Sequence, residues 1–397
     1  MLPYGRKMNP VESQSSIDTW QTFRAQMPVA KNWAYFDHAA VAPLSLPAAT
    51  ALEKWSHQAV HHGDTQWPDW YAAAEQTRQH AATMIGAHTD EIALIPNTTT
   101  GIHLVAEGFP WQAGDNLVTL SNEFPSNLYP WMNLQSRGVE TRRVVVEHAA
   151  IDIDQILEVC DERTRIVSVS WVGYASGWRI DVNHLVEAVH NRGGLLFLDA
   201  IQGLGVFPLD VQQCGVDFLA ADGHKWMLGP EGAGLFYIRK EHLNRLRPLG
   251  VGWHSVVHAF DFSHVDLNLR PTAARYEGGS QNMAGMLALG ASLKFLIEMG
   301  VGTNTSTVAD RVLQVTDASV DGLRRLGAII HSDRTNINHN SGIVSFSIPG
   351  KDPTEIRQRC LEQKVVLSCR DGRLRISPHA YANEEDAERL CRAVSDN

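Results

Sequence analysis

The sequence predicts an α/β fold: a mostly parallel sheet between helices in a large domain, followed by a smaller α+β domain at the C-terminus. Three observations predict it. Short apolar runs of strand length recur along the first two thirds of the chain, amphipathic segments with helical spacing lie between them, and the texture changes after roughly Ser280.

The runs are "EIALIPN", "DNLVTLS", "TRRVVVE", "RIVSVSWV", "LLFLDA", "DFLAAD" and "GLFYIR". Their near-continuous apolarity is that of strands covered on both faces. Between them "WYAAAEQTRQHAATMIGA", "IDQILEVCDE" and "VNHLVEAVHNRGG" carry apolar residues at helical spacing, the last ending in a glycine stop. From 281 to 330 the chain reads as mainly helical, followed by "GIVSFSIP", a helix "DPTEIRQRCLEQK", a strand pair "VVLSCRDGRLRIS" and a last helix "NEEDAERLCRAVSD". The expected organisation is a disordered arm over 1–16, a large domain over 17–280 whose first helix can pack on the small domain, and a small α+β domain over 281–397. Met8, after a short basic lead, is an alternative start.

Composition narrows the function. The chain has 397 residues, 44% of them hydrophobic, enough for a large core. Its formal charge of -10, without a long basic run, argues against nucleic acid and anionic membranes as partners. No apolar stretch has the length of a membrane span and the N-terminus lacks a signal-peptide core, so a cytoplasmic protein working on small molecules is expected. The five cysteines (Cys160, Cys214, Cys360, Cys369, Cys391) are odd in number and widely spaced, which suggests neither a metal site nor a disulfide framework.

Two stretches carry the chemistry. "FLDAIQGLGV" ends an apolar strand in Asp199, and "ADGHKWMLGPEGAG" sets Lys225 in a Gly-rich turn. Ligands of such sheets sit at the carboxyl ends of the strands, where Asp199 falls. A partly desolvated lysine forms a Schiff base with a carbonyl. An acid facing a pyridinium nitrogen together with such a lysine defines pyridoxal 5'-phosphate chemistry. Alone, Asp199 would read as a strand-end cap and Lys225 as a solvated charge. They are not alone. "IPNTTTGIHLVAEGF" places Thr98, Thr99 and Thr100 where a strand meets a helix N-terminus, a setting for a phosphate, with one of the threonines serving as N-cap. Gln202 follows Asp199, and "RYEGGSQN" offers Gly279 and Ser280 at the domain boundary.

With these residues the chain resembles the class V aminotransferase group of fold-type I pyridoxal phosphate enzymes, which includes cysteine desulfurases, selenocysteine lyases, kynureninase and isopenicillin N epimerase. The resemblance runs from "YFDHAAVAPLS" to "RLRISPHAYANEEDAERL", and "GHKWMLGPEGAG" is its most specific piece. It implies Lys225 as the lysine that binds the cofactor and moves the substrate's α-proton, Asp199 on the pyridinium nitrogen, and Gln202 on the phenolic oxygen. It further implies Thr98, Thr99 and His224 on the phosphate, joined by Ser280 across a homodimer interface, and Arg375 on the substrate carboxylate.

Departures from the family pattern bear on the reaction. Phe124, in "EFPSNLYPW", takes the ring-stacking position that many desulfurases give to histidine, and Trp171 replaces an asparagine. Asp222 stands where desulfurases place a phosphate-binding serine, so its side chain is expected to point away. Arg370-Asp371-Gly372 runs directly into "RLRIS" with no cysteine there, and Cys369 just before it is expected to face the core. A lyase that removes a β-substituent such as sulfur from an L-amino acid is the leading expectation. An epimerase or aminotransferase on the same scaffold, or a non-catalytic pyridoxal phosphate-binding regulator, are the alternatives. His379 and Tyr381 either shape substrate choice or pack, and "HHGDTQWPDW" is either a lid or a surface loop.

Overall fold

The computed structural model describes residues 19–146 and 149–395; the arm expected over 1–16 lies outside them. Seven strands form the main sheet: β1 (Ile92–Ile95), β2 (Asn116–Leu120), β3 (Glu140–Val144), β4 (Thr164–Ser170), β5 (Leu195–Asp199), β6 (Phe218–Asp222) and β7 (Gly234–Ile238). Their order is β1-β7-β6-β5-β4-β2-β3, and only β7 runs antiparallel to its neighbours.

The apolar runs make this sheet because both faces are covered. Leu196 and Leu198 of β5 enter one core, with Leu219 and Ala221 of β6, while Phe197 enters the other with Phe218, Phe236 and Trp131. Each fully buried phenylalanine contributes on the order of 2 kcal/mol relative to exposure. The helix Thr98–Gly108 lies directly on β6. Glycine at 101 allows this approach, because a Cβ there would stand 2.5 Å from Ala220 Cβ. The helix is capped by Asn97, whose Oδ1 accepts the Thr100 N–H at 2.9 Å. None of the three threonines caps it, a correction to the sequence expectation that leaves Thr98 and Thr99 available to the site.

A four-stranded antiparallel sheet lies toward the C-terminus, with β8 (Ile329–Ile330), β9 (Val344–Ser347), β10 (Ser368–Arg370) and β11 (Arg373–Ile376) in the order β10-β11-β9-β8. Asp371 and Gly372 turn β10 into β11 with φ of 50° and 70°, the left-handed pair that a two-residue hairpin requires. The core under this sheet joins Val344, Phe346, Leu374 and Ile376 to Leu323 and Leu390, and also to Ala34 and Phe36 from the N-terminal end. Those early residues are drawn in by parallel pairing of Ala34–Tyr35 with Val365–Val366 and by the bridge of Asp37 to Ser377. The helix Met283–Glu298 packs instead in the main core, where Met286, Leu289 and Leu293 meet Ala74, Ala81 and Ile85. No helix among the described residues is long and apolar enough to cross a membrane.

Candidate active site

The carboxyl ends of β1, β2, β4, β5 and β6 deliver Thr98, Phe124, Ser170, Asp199 and Asp222 to the rim of one cavity of about 300 Å³. Lys225, His224 and Gln202 line it from the loops after β5 and β6, and Arg370 and Arg375 from the hairpin β10–β11. Of the residues that the family resemblance assigns to cofactor or substrate, all but Ser280 therefore line one cavity.

The lysine turn is rigid. Gly223 N–H donates to Ala233 O at 2.8 Å, Leu228 N–H to Lys225 O at 3.0 Å and Gly229 N–H to Gly223 O at 2.9 Å. Leu228 takes a φ of 56°, uncommon for a leucine, and Gly205, with φ of 94°, lets a second loop approach so closely that a Cβ would sit 2.7 Å from Trp226 O. Lys225 is 9% exposed, and its ammonium makes no hydrogen bond or ion pair among the described residues. Burial lowers its pKa to about 8, against the pull of Asp199 and with a push from Arg375. The amine is thus poised to lose its proton near neutral pH.

Two buried carboxyls stand at this end of the sheet, Asp199 in the cavity lining and Glu123 beside it on Ser170. Asp199 Oδ1 accepts the Ile201 N–H at 3.1 Å, and burial raises its pKa to about 6. Glu123 accepts the Ser170 N–H at 2.7 Å and a short bond from the Ser170 hydroxyl; burial, with Asp199 nearby, raises it to about 7. Glu123 was not among the sequence candidates, although "SNEFPSNLYPW" contains it. Both carboxyls have raised folded-state values. Their stabilisation is therefore complete below about pH 4, the unfolded value, and is withdrawn as pH rises through about 6 to 7. Glu123→Gln, which keeps an acceptor for Ser170 without titrating, is expected to raise the stability of the cofactor-free protein by on the order of 2–3 kcal/mol at pH 8 and to leave it little changed at pH 4. Denaturant unfolding at the two pH values measures it; equal effects at both would show that ionisation of Glu123 is not the cause.

The other end of the cavity is built by the start of the helix Thr98–Gly108. Thr98 Oγ1 accepts the Asp222 N–H at 2.9 Å and Thr99 Oγ1 donates to Ser126 Oγ at 2.9 Å. His224 Nδ1 stands 3.0 Å from Asp222 Oδ2, within ion-pairing range but out of hydrogen-bond alignment, and Asp222 Oδ1 is buried without a partner. The expectation that Asp222 turns away is corrected: it lines the cavity. Backbone pairing explains this. Asp222 ends β6 beside Gly234, and its alternation places the side chain on the face of Thr98. An anion about 4 Å from this carboxylate would be repelled by about 4 kcal/mol at an effective dielectric of 20.

Arg375 is 1% exposed and tied by three bonds: Nε to Ser368 Oγ at 3.1 Å, Nη1 to Tyr174 O at 2.7 Å and Nη2 to Asp37 Oδ1 at 3.1 Å. Each terminal nitrogen keeps one N–H for a ligand. Asp37 and Tyr174 were missed as site residues; the signal for Asp37 was the acid in "YFDHAAVAPLS". Gln202 donates Nε2–H to Ala39 O at 3.0 Å and accepts from Trp226 Nε1 at 2.9 Å, which fixes its amide. The Phe124 ring lies 5.6 Å from Lys225 Nζ and meets Tyr174 edge-on at 5.4 Å.

Several candidates lie elsewhere. Ser280 is exposed and, in its own chain, lines a separate small pocket with Trp67, Tyr71 and His254. That places "HHGDTQWPDW" away from the main cavity. Trp171 is buried against Gly203. His379 and Tyr381 are buried and do not line the cavity; His379 bonds Trp226 O at 3.2 Å and Tyr381 the ring of His38 at 3.0 Å, so packing is their role. Cys369 is half-buried and does not line the cavity, whereas its neighbour Arg370 does.

Comparison with known proteins follows the same outline. The chain is 31% identical to the probable cysteine desulfurase of Methanothermobacter thermautotrophicus, over 88% of this chain and 86% of that protein. It superposes on the cysteine desulfurase of Thermococcus onnurineus with a TM-score of 0.84 at 24% identity, covering 94% of this chain and 97% of that one. The cystine C-S lyase C-DES, solved with its reaction product cysteine persulfide, gives 0.86 at 22% identity, covering 94% and 99%; likeness at these identities is one of fold. Residues 34–392 match the Aminotransferase class-V family, and the chain belongs to that family as a pyridoxal 5'-phosphate-dependent enzyme.

Proposed function

We propose that this enzyme is a C–S lyase that acts on cysteine or an S-substituted L-cysteine and expels the sulfur fragment into solution, not onto a cysteine of its own. One observation carries this: among the described residues, no cysteine lines the cavity that holds Lys225, Asp199 and Arg375. Ser368 and Arg370 on either side of Cys369 reach Arg375 and the cavity, so strand alternation turns Cys369 to the other face. The names of the relatives, cysteine desulfurases among them, support sulfur chemistry on an amino acid.

The residues fit the cofactor. Lys225 offers an unpaired amine for its aldehyde, Asp199 a buried carboxylate for its ring nitrogen, Gln202 an amide for its phenolic oxygen and Phe124 an apolar face for the ring. Thr98, Thr99 and His224 offer donors for its phosphate, and Ser280, exposed and remote in its own chain, completes that grip for a second copy in a homodimer. When bound, the cofactor supplies an electron sink for the charge left at the substrate's α-carbon. Arg375 holds the substrate carboxylate through the N–H groups left on its terminal nitrogens, with Asp37 and Tyr174 fixing the guanidinium plane. Lys225 Nζ then takes the α-proton, for which its lowered pKa suits it. The bond between the β-carbon and sulfur breaks with its electron pair leaving on sulfur, and hydrolysis of the remaining fragment gives pyruvate and ammonia.

The test is product identification by mass after the loaded enzyme meets L-cysteine, L-cystine and S-alkyl cysteines. Pyruvate, ammonia and a free sulfur fragment are expected, with no mass added to the protein. Alanine together with a persulfide on the protein would overturn the proposal, as would exchange of the α-proton or loss of the amino group with sulfur retained.

A further inference from the structure

We propose that Asp222 makes the phosphate end of this cavity a proton-dependent grip, which takes the cofactor's phosphate as a monoanion with its P–OH donating to the Asp222 carboxylate. The inference rests on the reading of this cavity as the cofactor site. Two independent features meet there. The start of the helix Thr98–Gly108 provides unpaired N–H groups and the Thr98 hydroxyl, donors that suit any phosphate. Asp222, 5% exposed and lining the same cavity, is an acceptor with a buried oxygen, Oδ1, that has no partner. A dianion brings only acceptors to such a site and leaves the carboxylate repelled and unsatisfied. A monoanion brings one donor, and the second ionisation of a phosphate ester, near pH 6, makes that proton available at little cost.

The charged surroundings allow it. His224 and Lys225 face Asp222 from its own turn, with His224 Nδ1 3.0 Å from Asp222 Oδ2. The helix packed against it contributes threonines and no ionised group at this end. Asp199 from β5 and Arg370 and Arg375 from the hairpin line the cavity and act on Lys225. Among the described residues no arginine lies within ion-pairing distance of Asp222, where His224 alone does.

Phosphorus NMR of the loaded enzyme tests this, because the resonance of a phosphate ester differs between monoanion and dianion. The wild-type signal is expected at the monoanion position at pH 7.5, moving to the dianion position only at higher pH; in Asp222→Ser it is expected at the dianion position throughout. Affinity gives a second reading. The non-covalent analogue 4-deoxypyridoxine phosphate, which does not react with Lys225, is expected to bind wild type about tenfold more weakly for each pH unit above the phosphate's own ionisation, and Asp222→Ser with a flat profile and at least tenfold more tightly at pH 8.5. A dianion signal in wild type at pH 7.5 would overturn the proposal without needing any variant, and would mean that Asp222 serves only to orient His224. Failure of the protein to develop a borohydride-sensitive visible absorbance with pyridoxal phosphate would instead remove the cofactor reading, and this inference with it.

Discussion

Lys225→Ala is expected to abolish turnover, by a factor of at least about 10⁴, while leaving the fold intact. The rate loss has two sources. Proton transfer by a positioned side chain is worth roughly 10²–10⁴, and among the described residues the amine is also the only lysine lining the cavity, hence the proposed attachment point for the cofactor's aldehyde. Stability moves differently. The ammonium makes no hydrogen bond or ion pair among the described residues, so truncation leaves no partner unsatisfied, and it removes a charge whose burial is unfavourable. The unfolding midpoint of the cofactor-free variant should equal or exceed that of the wild type. Activity assays, borohydride trapping and thermal unfolding on the same preparation check all three statements. Retained turnover would sink the assignment of Lys225, and an inactive variant with a collapsed midpoint would show that the loss is one of folding.

Much of this was legible because it rests on short-range pattern. Seven apolar runs became the seven strands of the main sheet, and the Asp371-Gly372 dipeptide between two apolar runs became a hairpin with the positive φ pair such a turn demands. The carboxyl-end rule places Asp199 at a ligand site, and Asp199 lines the cavity. What stayed hidden depends on contacts distant in sequence. Asp37 and Arg375 are an ion pair between residues 338 apart, and nothing local to "YFDHAAVAPLS" states its partner. Glu123 reads as a surface acid in a polar stretch, and its burial follows only from the way the turn after β2 folds across the end of β4. Asp222 was misplaced for a different reason: an acid where a phosphate-binding serine is usual is expected to turn from an anion, whereas strand register decides which way a side chain at the end of β6 faces. A rule about the ligand was set against a rule about the backbone, and the backbone won.

Asp199→Asn is expected to slow catalysis by roughly 10²–10⁴-fold and at the same time to stabilise the cofactor-free protein above neutral pH. The two effects share one cause. Burial raises the Asp199 carboxyl to about 6, so in the absence of a ligand its ionised form is held against an unfavourable environment. As with Glu123, stability from this group is present below about pH 4 and lost as pH rises through about 6. Asparagine keeps an oxygen for the Ile201 N–H and does not titrate, so the cofactor-free variant should gain on the order of 3 kcal/mol at pH 8 and nothing at pH 4. The cost of holding that charge is what would make it effective in the proposed role: a carboxylate only 3% exposed pairs strongly with a protonated ring nitrogen, and such pairing sustains the electron sink. KM should change little, since Asp199 ends β5 whereas Arg375, the proposed grip on the substrate carboxylate, lines the cavity from the β10–β11 hairpin. Rate and stability that fall together would mean that Asp199 is a strand-end brace and nothing more; rate falling while stability rises is the pattern of a strained functional carboxylate.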